Sequence, residues 1–335
     1  MFVVTGGLGF IGSQVVAFLQ KTYPNNTIVI VDWLKEKPKF LNLLSSSNCS
    51  LIEPKDLSLL LPDLKSGQCR AIFHLGANSS TTCKDGNSLY EYNYRFSTEL
   101  VDLACKYGVH LVNASSASVY GASPSCSILA ENERPLNHYA FYKLLVDQYI
   151  RSVLSSLSAP ITSIRFFNVY GFGEFFKGDM ASLPYKFYKD LSSGIPISLF
   201  GASHGCSAGN QSRDFVYVDD IVTTMHRCFT NSVQGIYNLG SGTSRSFNDL
   251  AFVCINTYYQ ASNLPSYKCL QDAVDSGVLA YTDFPSTLVN SYQPFTLADH
   301  SGWSTTSIQP PATSLEAGID RYYQLLSSIN HFQLN

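Results

Sequence analysis

The first half of the chain alternates between two textures. Short apolar runs recur: Phe2-Val3-Val4, Thr27-Ile28-Val29-Ile30-Val31, Ala71-Ile72-Phe73-His74-Leu75, Val109-His110-Leu111-Val112-Asn113-Ala114 and Pro160 to Phe166. Their length and β-branched content predict strands buried in a sheet interior. Between them, apolar residues fall at helical spacing. Val15 to Lys21 continues a helix that opens after a glycine cluster. Ser97 to Tyr107 carries Leu100, Leu103 and Ala104 on one face, and Gly108 stops it. Tyr139 to Leu154 is a longer helix with Leu144, Leu145, Tyr149 and Val153. Strands alternating with helices predict an α/β fold, a doubly wound parallel sheet covered on both faces.

The texture changes near residue 168. Glycine and aromatic residues crowd Asn168 to Phe187, and Ala202 to Ser212 reads as an exposed loop. Asp214 to Val218 then predicts a strand, followed by a helix whose first turn holds Asp219 and Asp220, where carboxylates suit the dipole. Gly235 to Gly240 is another short strand, and Leu315, Ile319 and Tyr322 mark a C-terminal helix. The expected division is one domain over residues 1–168 plus about 213–240, and a smaller α/β lobe from 169–212 and 241–335.

Composition narrows the class. The chain has 335 residues, 45% hydrophobic and 14% charged, with a net charge of −3. That balance offers no basic field for nucleic acid, and no apolar run approaches membrane-spanning length. The nine cysteines are scattered with no Cys-x-x-Cys spacing, which predicts reduced thiols in a cytoplasmic protein rather than disulfides or a metal site. A glycine turn placed at residues 6–12 leaves no room for a leader ahead of it, so none is expected.

The chemistry begins at that turn. Gly6, Gly9 and Gly12 sit between a strand and a helix, and Asp32 closes the second strand twenty residues later. This is the pattern of a dinucleotide-binding βαβ unit. Gly6 permits the tight turn, Gly9 admits a pyrophosphate to the backbone, and Gly12 lets the helix pack closely; the helix N-terminus supplies N–H groups and a positive dipole. Tyr139 and Lys143 lie at i and i+4, on one helix face, and Ser115-Ser116 ends the preceding strand. An ammonium beside a phenol is expected to lower the phenol pKa, and a serine hydroxyl can hold a substrate oxygen. Such a trio suits proton transfer at a carbinol during nicotinamide chemistry. Asp32 favours the free ribose of NAD, whereas Lys35, Lys37 and Lys39 offer charge for the 2′-phosphate of NADP.

The stretches Thr5-Gly6-Gly7-Leu8-Gly9-Phe10-Ile11-Gly12, Tyr139-x-x-x-Lys143 and Arg213-Asp214-Phe215-Val216-Tyr217-Val218 resemble the extended short-chain dehydrogenase/reductase family. Val31-Asp32-Trp33, Ser79-Ser80-Thr81-Thr82, Lys177-Gly178-Asp179-Met180-Ala181-Ser182 and Tyr292-Gln293-Pro294-Phe295-Thr296 are similar to its ADP-heptose 6-epimerase branch. The resemblance implies inversion of C6″ of an ADP-heptose through a transient ketone, with NADP as cofactor. It implies Tyr139 and Lys177 as the two acid/base groups, Lys143 as the cofactor-ribose and tuning residue, and Ser116 as a hydrogen-bond partner of the reacting oxygen. Besides Tyr139, Lys143 and Lys177, the cofactor residues it implies are Gly6, Gly9, Phe10, Ile11, Gly12, Asp32, Trp33, Lys39, Leu75, Gly76, Ala77, Asn78, Ser79, Asn93 and Val169. Substrate contacts are implied at Asn168, Asp179, Lys186, Phe200, Ser203, Arg213 and Tyr292, and the assembly is implied to be a homo-oligomer, with a pentamer as one form.

The chain departs from that branch at Trp33, Leu75, Asn78, Tyr142, Phe175-Phe176, Asp179 and Lys186. Asp179 is expected either to hydrogen-bond sugar hydroxyls or to pair with Lys177 and raise its pKa. Arg213 suits a diphosphate; its bland alternative is an ion pair with Asp214. A UDP-hexose 4-epimerase and a non-catalytic NADP-binding scaffold are the alternative readings. A 4,6-dehydratase is disfavoured because Ser116-Ala117-Ser118-Val119-Tyr120-Gly121 lacks an Asp-Glu pair.

Overall fold

In the computed structural model, residues 1–33, 38–43, 48–154, 159–289, 292–311 and 313–328 are described. β1 (Phe2–Thr5) is buried at every position, and its side chains serve two cores. Phe2 and Val4 pack with Ile28 and Ile30 on one face of the sheet, and Val3 packs with Val29 and Val31 on the other. Period-two alternation sends successive residues to opposite faces, so only a chain apolar at every position can fill both. Each fully buried side chain of this size contributes about 1.5–3 kcal/mol.

α1 (Phe10–Thr22) leads to β2 (Ile28–Val31) and β3 (Cys49–Ile52), then α2 (Leu61–Lys65) to β4 (Ala71–His74). α3 (Gly86–Leu89) runs through a π-helical segment (Tyr90–Arg95) into α4 (Phe96–Tyr107), which ends at Gly108 as its sequence predicts. β5 (His110–Ser116), α5 (His138–Val153) and β6 (Ile161–Phe166) follow. The second half contains β7 (Asn168–Tyr170), α6 (Leu183–Ser192), β8 (Ile197–Phe200), β9 (Ser212–Tyr217), α7 (Val218–Thr230) and β10 (Gly235–Leu239). It closes with β11 (Ser244–Ser246), α8 (Phe247–Ala261), α9 (Leu270–Asp275), β12 (Leu279–Thr282) and α10 (Leu315–Ser328).

Seven strands form one sheet in the order β10-β6-β5-β4-β1-β2-β3, with every neighbouring pair parallel. The α/β expectation is borne out. β9 lies outside this sheet, between β7 and β11 in a three-stranded one, while β8 pairs with β12. A separate core unites Tyr185, Phe187, Leu250, Ile255, Ile319 and Tyr322 around these smaller sheets. α6 falls in a stretch that its glycine and aromatic content made look irregular. The start signal was present: Ser182 caps the helix through the Tyr185 N–H, and proline occupies its first turn.

A buried ionic network joins β5 and β6 of the main sheet to α5. Arg165 of β6 and Asp147 of α5 are both fully buried and meet at 2.8 Å, Nε to Oδ2. Ser115 and Ser163 donate to the same carboxylate at 2.9 and 2.7 Å. Arg165 also pairs with Glu133 and donates to the Tyr120 hydroxyl at 3.0 Å. Both oxygens of the Asp147 carboxylate accept hydrogen bonds, which helps make buried charge tolerable. Arg165→Leu leaves Asp147 buried without its cation, while Glu133 keeps Arg151 at 2.7 Å, so urea unfolding should show a loss of about 3–5 kcal/mol.

Candidate active site

The strand order reverses between β1 and β4, and the loops leaving their C-terminal ends open a crevice there. Three backbones meet at its floor. Gly6 has φ of +66°, and a Cβ on it would lie 2.7 Å from the Gly76 nitrogen. A Cβ on Gly12 would lie 2.1 Å from the Gly6 carbonyl oxygen. Gly12 is therefore required by the turn itself, not by the approach of α1 to the sheet that its spacing suggested. Gly9 is the N-cap of α1, with no side chain capping the helix. An uncapped helix end over a glycine floor fits a dinucleotide pyrophosphate.

The cavity at this point is about 510 Å³, and Gly6, Gly9, Phe10, Ile11, Gly12, Asp32, Trp33 and Lys39 line one side of it. The Asp32 carboxylate accepts from the Leu8 N–H at 2.9 Å and the Trp33 N–H at 2.7 Å, and Lys39 stands 3.6 Å away. Lys35 and Lys37 lie outside the described residues. Leu75, Gly76, Ala77, Asn78 and Ser79 also line it. Asn93 and Val169 are not among the lining residues. Asn93, wholly buried, braces that loop from behind: it accepts from the Asn78 N–H at 2.8 Å and donates to its carbonyl at 2.9 Å.

A buried relay holds the two strand ends together. Gly76 N–H donates to the Thr5 hydroxyl at 3.0 Å, and Thr5 Oγ1 is 2.6 Å from His74 Nδ1. His74 Nε2 is 2.8 Å from the Ser97 hydroxyl, which donates to the Asn93 carbonyl at 2.8 Å. Since Ser97 spends its proton on Asn93, His74 donates through Nε2, and Nδ1 accepts from Thr5. Burial pushes the His74 pKa down to about 3, with the Lys143 charge acting the same way. The ring is neutral, as the relay requires.

Tyr139, Lys143 and Lys177 line this one cavity together. Ser116 stands just behind, where its hydroxyl hydrogen-bonds the Tyr139 phenol oxygen. The phenol is not acidified by its neighbour, contrary to the expectation from spacing. Burial raises the Tyr139 pKa and outweighs the Ser116 hydrogen bond. The Lys143 ammonium instead donates to the Ala114 carbonyl at 2.6 Å. Burial also lowers Lys143 to about 8, against the opposing charge of Asp147. Lys177 stacks its ammonium over the Phe10 ring at 5.2 Å; burial lowers its pKa, and Glu174 opposes that shift. The phenol is thus held protonated while the Lys177 amine is made easier to deprotonate, so the two groups favour complementary proton states.

Asp179 does not pair with Lys177. Gly178 adopts φ of +55° between them and turns the backbone, so Asp179 is exposed and its carbonyl accepts from Lys186 Nζ at 2.8 Å. Arg213 does not pair with Asp214 either. That carboxylate is saturated by Ser241, Gly242 and Ala298 N–H groups. The Arg213 guanidinium lies 4.9 Å from the Tyr292 ring centroid and 5.5 Å from that of Phe247, and no carboxylate pairs with it among the described residues. Phe200 joins Tyr292 through Phe284, with ring centroids 5.3 and 5.0 Å apart. Ser203 accepts from Gln211 Nε2 at 2.8 Å, and Asn168 opens β7. Asn168, Asp179, Lys186, Phe200, Ser203, Arg213 and Tyr292 lie outside the cavity lining, with Asn168, Phe200 and Arg213 on strands of the smaller sheets and Lys186 on α6.

Residues 2–240 match the NAD dependent epimerase/dehydratase family. The chain belongs to that family. An ADP-L-glycero-D-manno-heptose-6-epimerase of Cupriavidus pinatubonensis is 38% identical over 326 residues, 97% of this chain and 98% of that protein. Among solved structures, the Helicobacter pylori ADP-L-glycero-D-manno-heptose-6-epimerase superposes with a TM-score of 0.79 at 25% identity, covering 98% of this chain and 96% of that one. A Methanobrevibacter ruminantium UDP-N-acetylglucosamine 4-epimerase, solved with UDP-N-acetylmuramic acid, reaches 0.77 at 25% identity over 98% of both chains. The resemblance read from the motifs is borne out, and kinship with epimerases along almost the whole length bears out the expectation of an isomerase.

Within this epimerase-family chain, sequence reasoning missed Phe176 and Met180 as cavity-lining residues, and His74 and Glu174 as buried polar groups. His74 sat inside an apolar run, an odd place for a polar side chain, and that was its signal. Its protonation has a measurable consequence. The unfolded chain takes up this proton below about pH 6.5, the folded chain only near pH 3. Stability should therefore fall as pH drops through this window, by up to about 1.4 kcal/mol per unit from this residue. His74→Gln should remove that share of the slope in urea melts at several pH values, leaving the share of His110, whose pKa burial lowers to about 4.

Proposed function

We propose that the chain is an ADP-glyceromanno-heptose 6-epimerase that inverts C6″ of ADP-D-glycero-D-manno-heptose to the L-glycero form, with NADP as its cofactor. The observation that carries this reading is the opening of Tyr139 and Lys177 onto one cavity beside the glycine turn. A phenol and an amine on separate cavities could not share a carbinol. A bound nicotinamide dinucleotide would supply hydride acceptance and return, so the protein itself has only protons to manage. The glycine turn, Asp32, Lys39 and the 75–79 loop would hold that cofactor, and Lys143 its ribose. The proximity of Lys39 to Asp32 supports NADP, since an ammonium there complements a 2′-phosphate.

Inversion needs one proton taken from the alcohol oxygen and one given back after the other face has reacted. The lowered Lys177 pKa suits acceptance, and the Tyr139 phenol, held protonated, carries a proton to return. In the reverse direction the roles exchange. Ser116, bonded to the phenol, holds the reacting oxygen. The buried guanidinium of Arg213, without a carboxylate partner among the described residues, supports a diphosphate contact, and the neighbouring rings of Tyr292 and Phe200 support a nucleoside contact. We read residues 1–168 with about 213–240 as the cofactor domain and the remainder as the nucleotide-sugar lobe, acting in the cytoplasm as a homo-oligomer.

Incubation with ADP-D-glycero-D-manno-heptose should give C6″ inversion by NMR, whereas UDP-hexoses should stay unchanged; the opposite preference would assign the chain to 4-epimerisation. Tyr139→Phe or Lys177→Met should each cost about 10²–10⁴-fold in kcat. The double variant should lose inversion while retaining dinucleotide, and mass spectrometry of the small molecule released on denaturation should show NADP. Arg213→Leu should raise KM about 10- to 100-fold.

A further inference from the structure

One buried carboxylate plays no part in the scheme above. Glu174 is fully buried at the start of the segment that carries Lys177. Its Oε2 accepts from the Ser182 N–H at 2.5 Å, and its Oε1 accepts from the Ser182 hydroxyl at 2.6 Å. Tyr322 of α10 donates to Oε1 at 3.0 Å, and the Gly171 N–H approaches it at 3.4 Å. The contacts to Ser182 close residues 174–182 into a ring. Lys177 lies inside that ring, on a one-turn helix that Gly178 kinks. The same serine caps α6, so the ring is anchored to a helix on one side and to α10 on the other.

We propose that Glu174 is the positioning residue for Lys177: its carboxylate staples the ends of the Lys177 segment together and supplies the negative charge facing the ammonium. The proposal rests on Lys177 being the second proton-transfer group. The geometry gives the staple a purpose beyond stability. Four donors from three parts of the chain converge on one carboxylate, and the Lys177 charge acts on it as well. Among the described residues no ion pair holds that ammonium. The other titratable groups around this region are Tyr139 and Lys143 across the cavity, Tyr185 of α6 and Tyr322 of α10 beside Glu174, and Asp179 and Lys186 beyond the Gly178 turn. Asp179 is exposed and forms no ion pair with Lys177, so Glu174 is the carboxylate that opposes the effect of burial on Lys177.

The test combines turnover with a direct reading of the lysine. Short-pulse acetylation of the full-length protein across pH, followed by peptide mass spectrometry, reports the Lys177 amine without requiring turnover. Glu174→Gln should lower kcat about 10-fold or more, since a reacting group displaced by an ångström costs about 10²-fold. KM and dinucleotide affinity should stay within two-fold, and the Lys177 labelling midpoint should move to lower pH. Should Glu174→Gln fail to fold, Ser182→Ala, which removes one donor of the staple, should lower kcat about three-fold or more. A folded Glu174→Gln, or failing that a folded Ser182→Ala, with wild-type kcat would overturn the proposal, as would an unmoved labelling midpoint in Glu174→Gln. Wild-type turnover by Lys177→Met would instead defeat the two-base reading, while the labelling midpoint would still report whether Glu174 governs this lysine.

Discussion

Everything in this molecule is arranged around a place where three stretches of backbone approach closer than side chains allow. The turn at Gly6, the start of α1 at Gly12 and the end of β4 at Gly76 meet with no space for a Cβ on Gly6 or Gly12. That contact sets the angle of α1, exposes its N-terminus over the crevice and brings the β1 and β4 loops to one site. The neutral His74 relay fastens the same junction from beneath, linking Thr5, Gly76 and α4 through groups with one compatible proton order. Close backbone packing and a directional hydrogen-bond chain thus act on one joint.

Around this joint the protein uses buried charge in two ways. The Arg165–Asp147–Glu133 network ties β5, β6 and α5 together and leaves the cavity-facing end of α5 to Tyr139 and Lys143. With Arg151, which meets Glu133 at 2.7 Å, two arginines face two carboxylates, so the network contributes rigidity. Lys177 and Arg213 are different: each is a largely buried cation with no carboxylate in contact among the described residues. Burial lowers the pKa of both, and the proposed function gives one a proton to exchange and the other a diphosphate to meet.

Opposite shifts at Tyr139 and Lys177 come from burial acting on groups of opposite charge type. Removing water disfavours a phenolate and an ammonium alike, so it raises one pKa and lowers the other. One environment thereby prepares a donor and an acceptor. The simpler idea, that Lys143 would acidify Tyr139, is not realised: the lysine ammonium donates to the Ala114 carbonyl, and burial dominates the phenol.

Much was legible in the linear chain. The alternation of strands and helices, the glycine turn with Asp32, the helix face shared by Tyr139 and Lys143 and the stop at Gly108 all depend on neighbours within a few residues. Periodicity and backbone sterics act at that range. The partners of Lys177, Asp179 and Arg213 were not legible, and adjacency suggested the wrong ones. Glu174 finds Tyr322 across 148 residues, and Thr5 finds His74 across 69. Such pairings are decided only when helices and sheets pack, because burial and hydrogen-bond geometry are properties of the assembled interior. The amino-acid order determined which chemical groups exist and which local elements carry them; the tertiary structure decided which groups face one another and in what state of charge.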